Sequence, residues 1–253
     1  MYRFGVCSRS DQFATALESG VDYVEPFVAN DLIRKEGETW ARFDDYPAIA
    51  AAPSFAVLFP GELKLSDPDF PRAPIEAYLT AALDAAASVG IPGAKVVLGS
   101  GGARHIPDNV DQALGKKAFS GVLRMADQLA KARGLQIVLE PLNQRETNLL
   151  NTIAECAAFL DQHEIAVPIV ADLYHMMRED EPVDILSTYG HRIGHAHLAD
   201  TERGAPGQGD WPIAEFLRGL KTCGYQGDVS IECNWKDFAA ELPNAVSFLR
   251  NIA

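Results

Sequence analysis

The run Gln136-Ile137-Val138-Leu139-Glu140-Pro141-Leu142-Asn143 decides the fold: an apolar stretch of strand length stops on a carboxylate and a proline. A strand covered on both faces, as in a parallel sheet, reads as an unbroken apolar run. An ionisable side chain at its end therefore marks where the chain leaves the core. The pattern returns downstream in Val170-Ala171-Asp172-Leu173, in His195-Ala196-His197-Leu198 and in Ser230-Ile231-Glu232-Cys233. From Glu140 the steps to Asp172, His197 and Glu232 are 32, 25 and 35 residues. Each step suits one strand plus one helix with their links.

Extended over the chain, this rhythm gives candidate strands at Arg3–Cys7, Tyr23–Phe27, Ser54–Phe59, Ala94–Ser100, Gln136–Leu142, Pro168–Leu173, Ile193–Ala199 and Asp228–Cys233. Helix-type stretches alternate with them at Gln12–Ser19, Tyr46–Ala51, Ile75–Val89, Val110–Arg133, Ile153–His163, Val183–Tyr189, Ile213–Cys223 and Phe238–Ile252. Gly20, Gly90, Gly134, Gly190 and Gly224 each follow a helix-type stretch, where a left-handed residue ends a helix at least cost. Strict alternation with short links implies parallel strands and right-handed crossovers. Eight such units in 253 residues match the usual size of a closed barrel, about 250 residues. The expected fold is α/β, a single (β/α)₈ TIM barrel forming one domain over residues 1–253. The two long irregular stretches, Val28–Asp45 and Pro60–Arg72, follow strands and so belong to the face where barrels build their sites. Exposed Leu32, Trp40 and Phe43 in the first of them suit a substrate lid or a subunit contact, in a homo-oligomer such as a dimer or tetramer.

The chain carries 22 basic and 35 acidic residues, a formal charge of −13. Such a surface repels phosphate backbones and anionic lipid, so neither nucleic acid nor membrane is an expected partner. The apolar runs fall far short of the about 20 residues that a membrane span needs, and no signal-type segment precedes the first strand. Cys7, Cys156, Cys223 and Cys233 form no CxxC pair and read as free thiols. A soluble, cytoplasmic protein that works on a small molecule is expected.

Glu140, Asp172, His197 and Glu232 lie at the ends of adjacent strands and converge on one mouth. Three carboxylates gathered in a barrel repel one another and are costly to bury without compensation. No lysine lies at these strand ends, so one divalent metal with three carboxylate ligands and one imidazole is the natural occupant. Oxygen-rich ligation favours Mn²⁺ or Mg²⁺, and the imidazole leaves Co²⁺ or Zn²⁺ open. Two residues along a strand advance about 6.6 Å on one face. His197 thus lies a layer above His195, which reads as a packed or supporting histidine. Glu146, His175 and Arg203 follow these strand ends on loops, where a molecule bound to the metal would meet them.

In order, Leu139-Glu140-Pro141-Leu142-Asn143 with Glu146-Thr147-Asn148, Asp172-Leu173-Tyr174-His175-Met176, Gly194-His195-Ala196-His197, Pro206-Gly207-Gln208-Gly209 and Ile231-Glu232 resemble the xylose isomerase-like TIM barrels. That family includes ketose 3-epimerases, hydroxypyruvate isomerase-type and inosose-processing enzymes and the endonuclease IV fold. The resemblance implies that Glu140, Asp172, His197 and Glu232 bind one divalent metal and that Glu140 and Glu232 serve as acid and base. It also implies that Glu146, His175 and Arg203 hold substrate oxygens. The segment Gly99-Ser100-Gly101-Gly102-Ala103-Arg104-His105 has no counterpart in a ketose site; it lacks the spacing of a nucleotide-binding loop and reads as a strand-to-helix turn.

A metal that chelates a carbonyl and its neighbouring hydroxyl stabilises the enediolate left when a carboxylate removes the adjacent proton. Two glutamates on different strands suit removal on one face and return on the other, which is epimerisation; one glutamate shuttling the proton gives aldose–ketose isomerisation. The expected activity is a metal-dependent sugar isomerase or epimerase acting on a ketose, sugar phosphate or small hydroxy-keto acid. Two rivals are an endonuclease IV-like phosphodiesterase and a non-catalytic sugar-binding barrel. The first needs more histidines than six readily supply, and it needs a surface that tolerates DNA.

Overall fold

Strands whose side chains are apolar on both faces must be covered by helices outside and by one another within, and a closed ring meets both demands. The computed structural model describes residues 2–37, 39–43, 46–47 and 51–253. Its strands are β1 (Phe4–Ser8), β2 (Tyr23–Pro26), β3 (Ile33–Glu36), β4 (Thr39–Arg42), β5 (Ala52–Phe55), β6 (Gly90–Leu98), β7 (Gln136–Leu139), β8 (Ile169–Asp172), β9 (Ile193–Leu198) and β10 (Val229–Ile231). Eight of them form one sheet in the order β2-β1-β10-β9-β8-β7-β6-β5, every pairing parallel. Closure comes between β2 and β5. The Ala56 N–H donates to the Pro26 carbonyl at 2.9 Å and the Val28 N–H to the Ala56 carbonyl at 2.9 Å. The expected (β/α)₈ barrel is therefore the fold found.

The helices are α1 (Phe13–Glu18), α2 (Arg72–Val89), α3 (Gly101–Arg104), α4 (Gln112–Lys131), α5 (Ile153–Gln162), α6 (Leu173–Arg178), α7 (Ile185–Tyr189), α8 (Ile213–Thr222) and α9 (Phe238–Ile252). Side chains that accept hydrogen bonds from free backbone N–H groups start several of them: Asp111 caps α4, Thr152 caps α5 and Asp237 caps α9. On α4 the buried positions Phe119, Val122, Leu123, Ala126 and Ala130 recur at helical spacing and seal the outer wall. No helix among the described residues is long and apolar enough to cross a membrane.

Three local expectations are corrected. The stretch after β2 is a β3–β4 antiparallel hairpin. It lies against α2 through Trp40, whose ring meets that of Tyr78 edge-on at 4.8 Å. Leu32 is fully buried and belongs to the core, whereas Trp40 and Phe43 pack only partly against it. Gly20, Gly134 and Gly224 take the left-handed conformation, but Gly90 and Gly190 do not. At those two sites closeness explains the glycine: a Cβ on Gly90 would lie 3.0 Å from the Ala86 carbonyl oxygen, and one on Gly190 would run into Cys223. Half of the helix expected at Tyr46–Ala51, residues 48–50, lies outside the described residues, and Tyr46, Pro47 and Ala51 are not helical.

Alternation along the strands divides the barrel interior. Val97, Val138 and Val170 on β6, β7 and β8 form a separate buried apolar cluster. Tyr23, Glu25, Ser54, His195 and Ser230, from β2, β5, β9 and β10, are also buried and bond to one another across the lumen. Gly5 on β1 makes room for this polar half, since a Cβ there would run into the Tyr23 ring. Gly5→Ala is expected to lower the free energy of unfolding by about 1–3 kcal/mol, the usual cost of overpacking a core. Urea denaturation measures it; an unchanged midpoint would mean that the Tyr23 ring is free to move aside.

Candidate active site

Each expected ligand sits where its strand leaves the barrel. The Glu140 N–H donates to the Leu98 carbonyl at 3.1 Å and the Glu232 N–H to the Leu198 carbonyl at 3.0 Å. The parallel ladder thus extends one residue past β7 and β10 and fixes both glutamates. Asp172 ends β8 and also caps α6: its Oδ1 accepts from the Tyr174 N–H at 2.7 Å and more weakly from the His175 N–H at 3.4 Å. One ligand atom each from Glu140, Asp172, His197 and Glu232 lies within 4.8 Å of all the others. His197 Nδ1 is central to the group, 3.0 Å from Glu140 Oε1, 3.2 Å from Glu232 Oε2 and 4.0 Å from Asp172 Oδ2.

This donor set suits a divalent cation. Asp172 Oδ2 is buried with no hydrogen-bond partner, and a bare carboxylate oxygen in such a place costs free energy. Burial, with Glu140 and Glu232 close by, pushes the Asp172 carboxyl up to about 7. Burial also raises Glu140, against the pull of its hydrogen bond from His197. Glu232 goes the other way: burial opposes it, but the Arg203 guanidinium and His197 bring it down to about 2. Positive charge is thus short at Glu140 and Asp172, where a cation would supply it.

The loop residues reach the same space. A cavity of about 150 Å³ is lined by Glu140, Glu146, His197, Arg203 and Glu232 together with Ala56, Val57, Ser100, Gly101 and Leu142. Arg203 bridges two of the acids, with Nη1 3.2 Å from Glu146 Oε1 and Nη2 3.1 Å from Glu232 Oε1, and its guanidinium lies 4.7 Å from the Tyr174 ring centre. Glu202 and Arg203 both have positive φ, 56° and 60°, an uncommon state for such residues. Asp200 fastens the loop that carries them by accepting from the Thr201, Gly207 and Trp211 N–H groups. His175 is buried, and burial with Arg203 holds its imidazole down at about 3, hence neutral. Its Nδ1 accepts from the Asn143 N–H at 3.0 Å. The ring proton is therefore on Nε2, which has no partner and lies 3.7 Å from Asp172 Oδ2. All the expected site residues, Glu140, Glu146, Asp172, His175, His197, Arg203 and Glu232, are brought together.

Two residues were missed. Glu25, wholly buried at the end of β2, accepts from His195 Nε2 at 2.8 Å and from His197 Nε2 at 3.0 Å. Its signal was present: Val24-Glu25-Pro26 ends a strand on a glutamate and a proline, as Leu139-Glu140-Pro141 does. The other is Arg104. Its buried guanidinium donates to the Glu140 carbonyl at 2.6 Å and the Leu150 carbonyl at 3.1 Å, so it clamps both ends of the loop that carries Glu146. The segment around it also has a steric task. A Cβ on Gly99 would run into Glu140 Oε2, and one on Gly101 would lie 2.8 Å from the Glu146 carbonyl oxygen.

The family model of the xylose isomerase-like TIM barrel matches residues 13–252. The 3-dehydro-D-guloside 4-epimerase of Escherichia coli (strain K12) is 33% identical over 119 residues, 46% of this chain and 45% of that protein. The D-psicose 3-epimerase of Agrobacterium fabrum is 34% identical over 124 residues, 48% of this chain and 42% of that protein. The chain thus matches less than half the length of these two relatives. Among solved structures, the apo form of E. coli 3-keto-D-glucoside 4-epimerase superposes with a TM-score of 0.81 at 21% identity, over 99% of this chain and 100% of that one. This last likeness concerns the fold.

Gly99→Ala is expected to turn the Glu140 carboxylate away from His197, at a cost of about 1–3 kcal/mol in stability. A crystal structure of the variant checks this, and a Glu140 carboxylate still 3.0 Å from His197 Nδ1 would refute it.

Proposed function

Since the chain belongs to the xylose isomerase-like TIM barrels, we propose that it is a metal-dependent sugar epimerase that inverts a carbon next to a carbonyl. The observation that carries this reading is the convergence of Glu140, Asp172, His197 and Glu232 around an unpartnered carboxylate oxygen, beside a cavity lined by Glu146 and Arg203. The two relatives are epimerases of a keto-glycoside and of a ketose, which favours a ketose or keto-sugar over a small hydroxy-keto acid. In this reading the four residues hold one divalent cation. Bound there, the cation supplies a Lewis acid that stabilises negative charge on the substrate oxygens as the proton leaves.

The protein's own groups divide the remaining work. Glu140 and Glu232 enter from β7 and β10, so one removes the proton from one face of the carbon and the other returns a proton to the opposite face; the reverse reaction exchanges the roles. His175 presents its Nε2 proton to a substrate oxygen and is neutral as it does so. Arg203 donates to a second oxygen and orients Glu232 through its 3.1 Å contact. Glu146, which also receives the Asn143 side-chain amide at 3.0 Å, accepts from a substrate hydroxyl. Small substrates suit a mouth in which charged groups converge from several loops.

After chelation and reloading with Mn²⁺, elemental analysis is expected to give one ion per chain, and none in His197→Ala. Ketoses and keto-glycosides turned over in D₂O are expected to gain one deuterium at the inverted carbon. Glu140→Gln and Glu232→Gln should each lower kcat by about 10²–10⁴-fold, the usual worth of a positioned acid or base. A loaded protein that exchanges no deuterium into any such sugar would overturn the reading; two or three ions per chain would revive the phosphodiesterase.

A further inference from the structure

Behind His197, one of the four strand-end residues, lies a second set of buried polar groups, Glu25, His195, Ser54 and Ser230, to which the reaction proposed above gives no role. Glu25 on β2 is fully buried, as are His195 and His197 on β9. Its Oε1 accepts from His197 Nε2 at 3.0 Å. Its Oε2 accepts from His195 Nε2 at 2.8 Å, from the Ser54 hydroxyl at 2.7 Å and from the Ser230 hydroxyl. Ser230, having given its proton to Glu25, receives the Tyr23 hydroxyl at 2.7 Å. Four donors from β5, β9 and β10 therefore meet one carboxylate across the barrel.

An ionised carboxylate offers only lone pairs, so every group that bonds to Glu25 must point a hydrogen at it. Both imidazoles then carry a proton on Nε2. For His197 this leaves Nδ1 as the nitrogen facing Glu140, Glu232 and Asp172, free to act as a ligand when the ring is neutral. The other neutral tautomer would put a hydrogen on Nδ1, where a cation has to bind. His195 and Ser230 hold Oε2 from β9 and β10, which keeps Oε1 toward His197, and Ser54 adds one further bond to Oε2.

We infer that Glu25 is the positioning residue of the metal centre: it fixes the tautomer and ring orientation of His197 so that Nδ1 is presented to the cation. His195 serves Glu25 rather than the metal. This rests on the metal-dependent reading given above. Carboxylates that receive the outer N–H of a ligating histidine act in this way in metalloproteins generally, and their loss lowers metal affinity about 10- to 100-fold.

The test measures Mn²⁺ binding by titration calorimetry, without turnover, in the wild type, in Glu25→Gln and in Ser54→Ala. Ser54→Ala removes one Oε2 donor and spares the His197 bond. Expected are Mn²⁺ affinity lowered about 10- to 100-fold in Glu25→Gln and retained in Ser54→Ala. In wild type loaded with diamagnetic Zn²⁺, long-range ¹H–¹⁵N spectra are expected to show both His195 and His197 protonated on Nε2. A role limited to packing would move melting temperatures in both variants and leave Mn²⁺ affinity unchanged in both. Undiminished affinity in Glu25→Gln, or a His197 protonated on Nδ1 in the Zn²⁺-loaded wild type, overturns the inference. Should Glu25→Gln fail to fold, Glu25→Asp, which keeps the carboxylate but shortens its reach to His197, takes its place, and undiminished Mn²⁺ affinity there overturns the inference. A wild type that binds neither ion overturns the metal reading itself and this inference with it.

Discussion

Four carboxylates share one end of a barrel interior: Glu25, Glu140 and Asp172 are buried, and Glu232 is nearly so. Isolated charges in such a place cost several kcal/mol each, and most of the polar architecture is a response to that cost. Arg203 and His197 neutralise Glu232. His197 also lies between Glu140 and Glu25, with a ring nitrogen 3.0 Å from each. His195, Ser54 and Ser230 supply Glu25 with the remaining hydrogen bonds. Of the four, Asp172 alone keeps a buried oxygen with no hydrogen-bond partner among the described residues, and the compensation is incomplete at that point. The apolar half of the lumen, Val97, Val138 and Val170, isolates this charge from solvent below and makes each of these contacts stronger.

Support for the site comes from residues that touch no substrate. Arg104 is a buried cation that forms no ion pair among the described residues; it spends its N–H groups on the carbonyls of Glu140 and Leu150. The loop between those two carbonyls carries Glu146, so the placement of an acid at the mouth depends on an arginine from the preceding βα unit. Asp200 does the same for Arg203, gathering three backbone N–H groups around a turn whose backbone is in a disfavoured region. Charge-assisted hydrogen bonds thus hold these loops alongside the packing of Leu149, Leu150 and Ala205 in the core.

The barrel and most of the mouth were legible in the sequence because they follow period and spacing. Glu140, Asp172, His197 and Glu232 interrupt apolar runs at intervals of one βα unit, and side-chain alternation alone separates His197 from His195. Glu25 obeys the same rule. It was passed over because only its neighbours in space, forty or more residues away in most cases, reveal what it bonds to. Arg104 carried no periodic signal, and its glycine-rich surroundings read as an ordinary turn. The spacing of glycines does not report that a carboxylate from another strand fills the missing Cβ. The β3–β4 hairpin escaped for a different reason: Ile33–Glu36 and Thr39–Arg42 are short, mostly polar strands outside the barrel, with little alternation to betray them.

Asp172 has a consequence for how such a site can diversify. One of its oxygens caps α6, the helix that bears His175, and the other faces the ligand cluster. The placement of the strand-end acids, the orientation of α6 and the His175 imidazole are thereby tied to one side chain, and a change in any of them disturbs the other two. The βα loops on β7, β8 and β9 are held in common by such shared residues. The opposite rim, where Ala56 and Val57 follow β5 and the hairpin follows β2, carries none of the four strand-end residues. Substitutions at Ala56 and Val57 would reshape the cavity from that rim and leave the four strand-end residues in place.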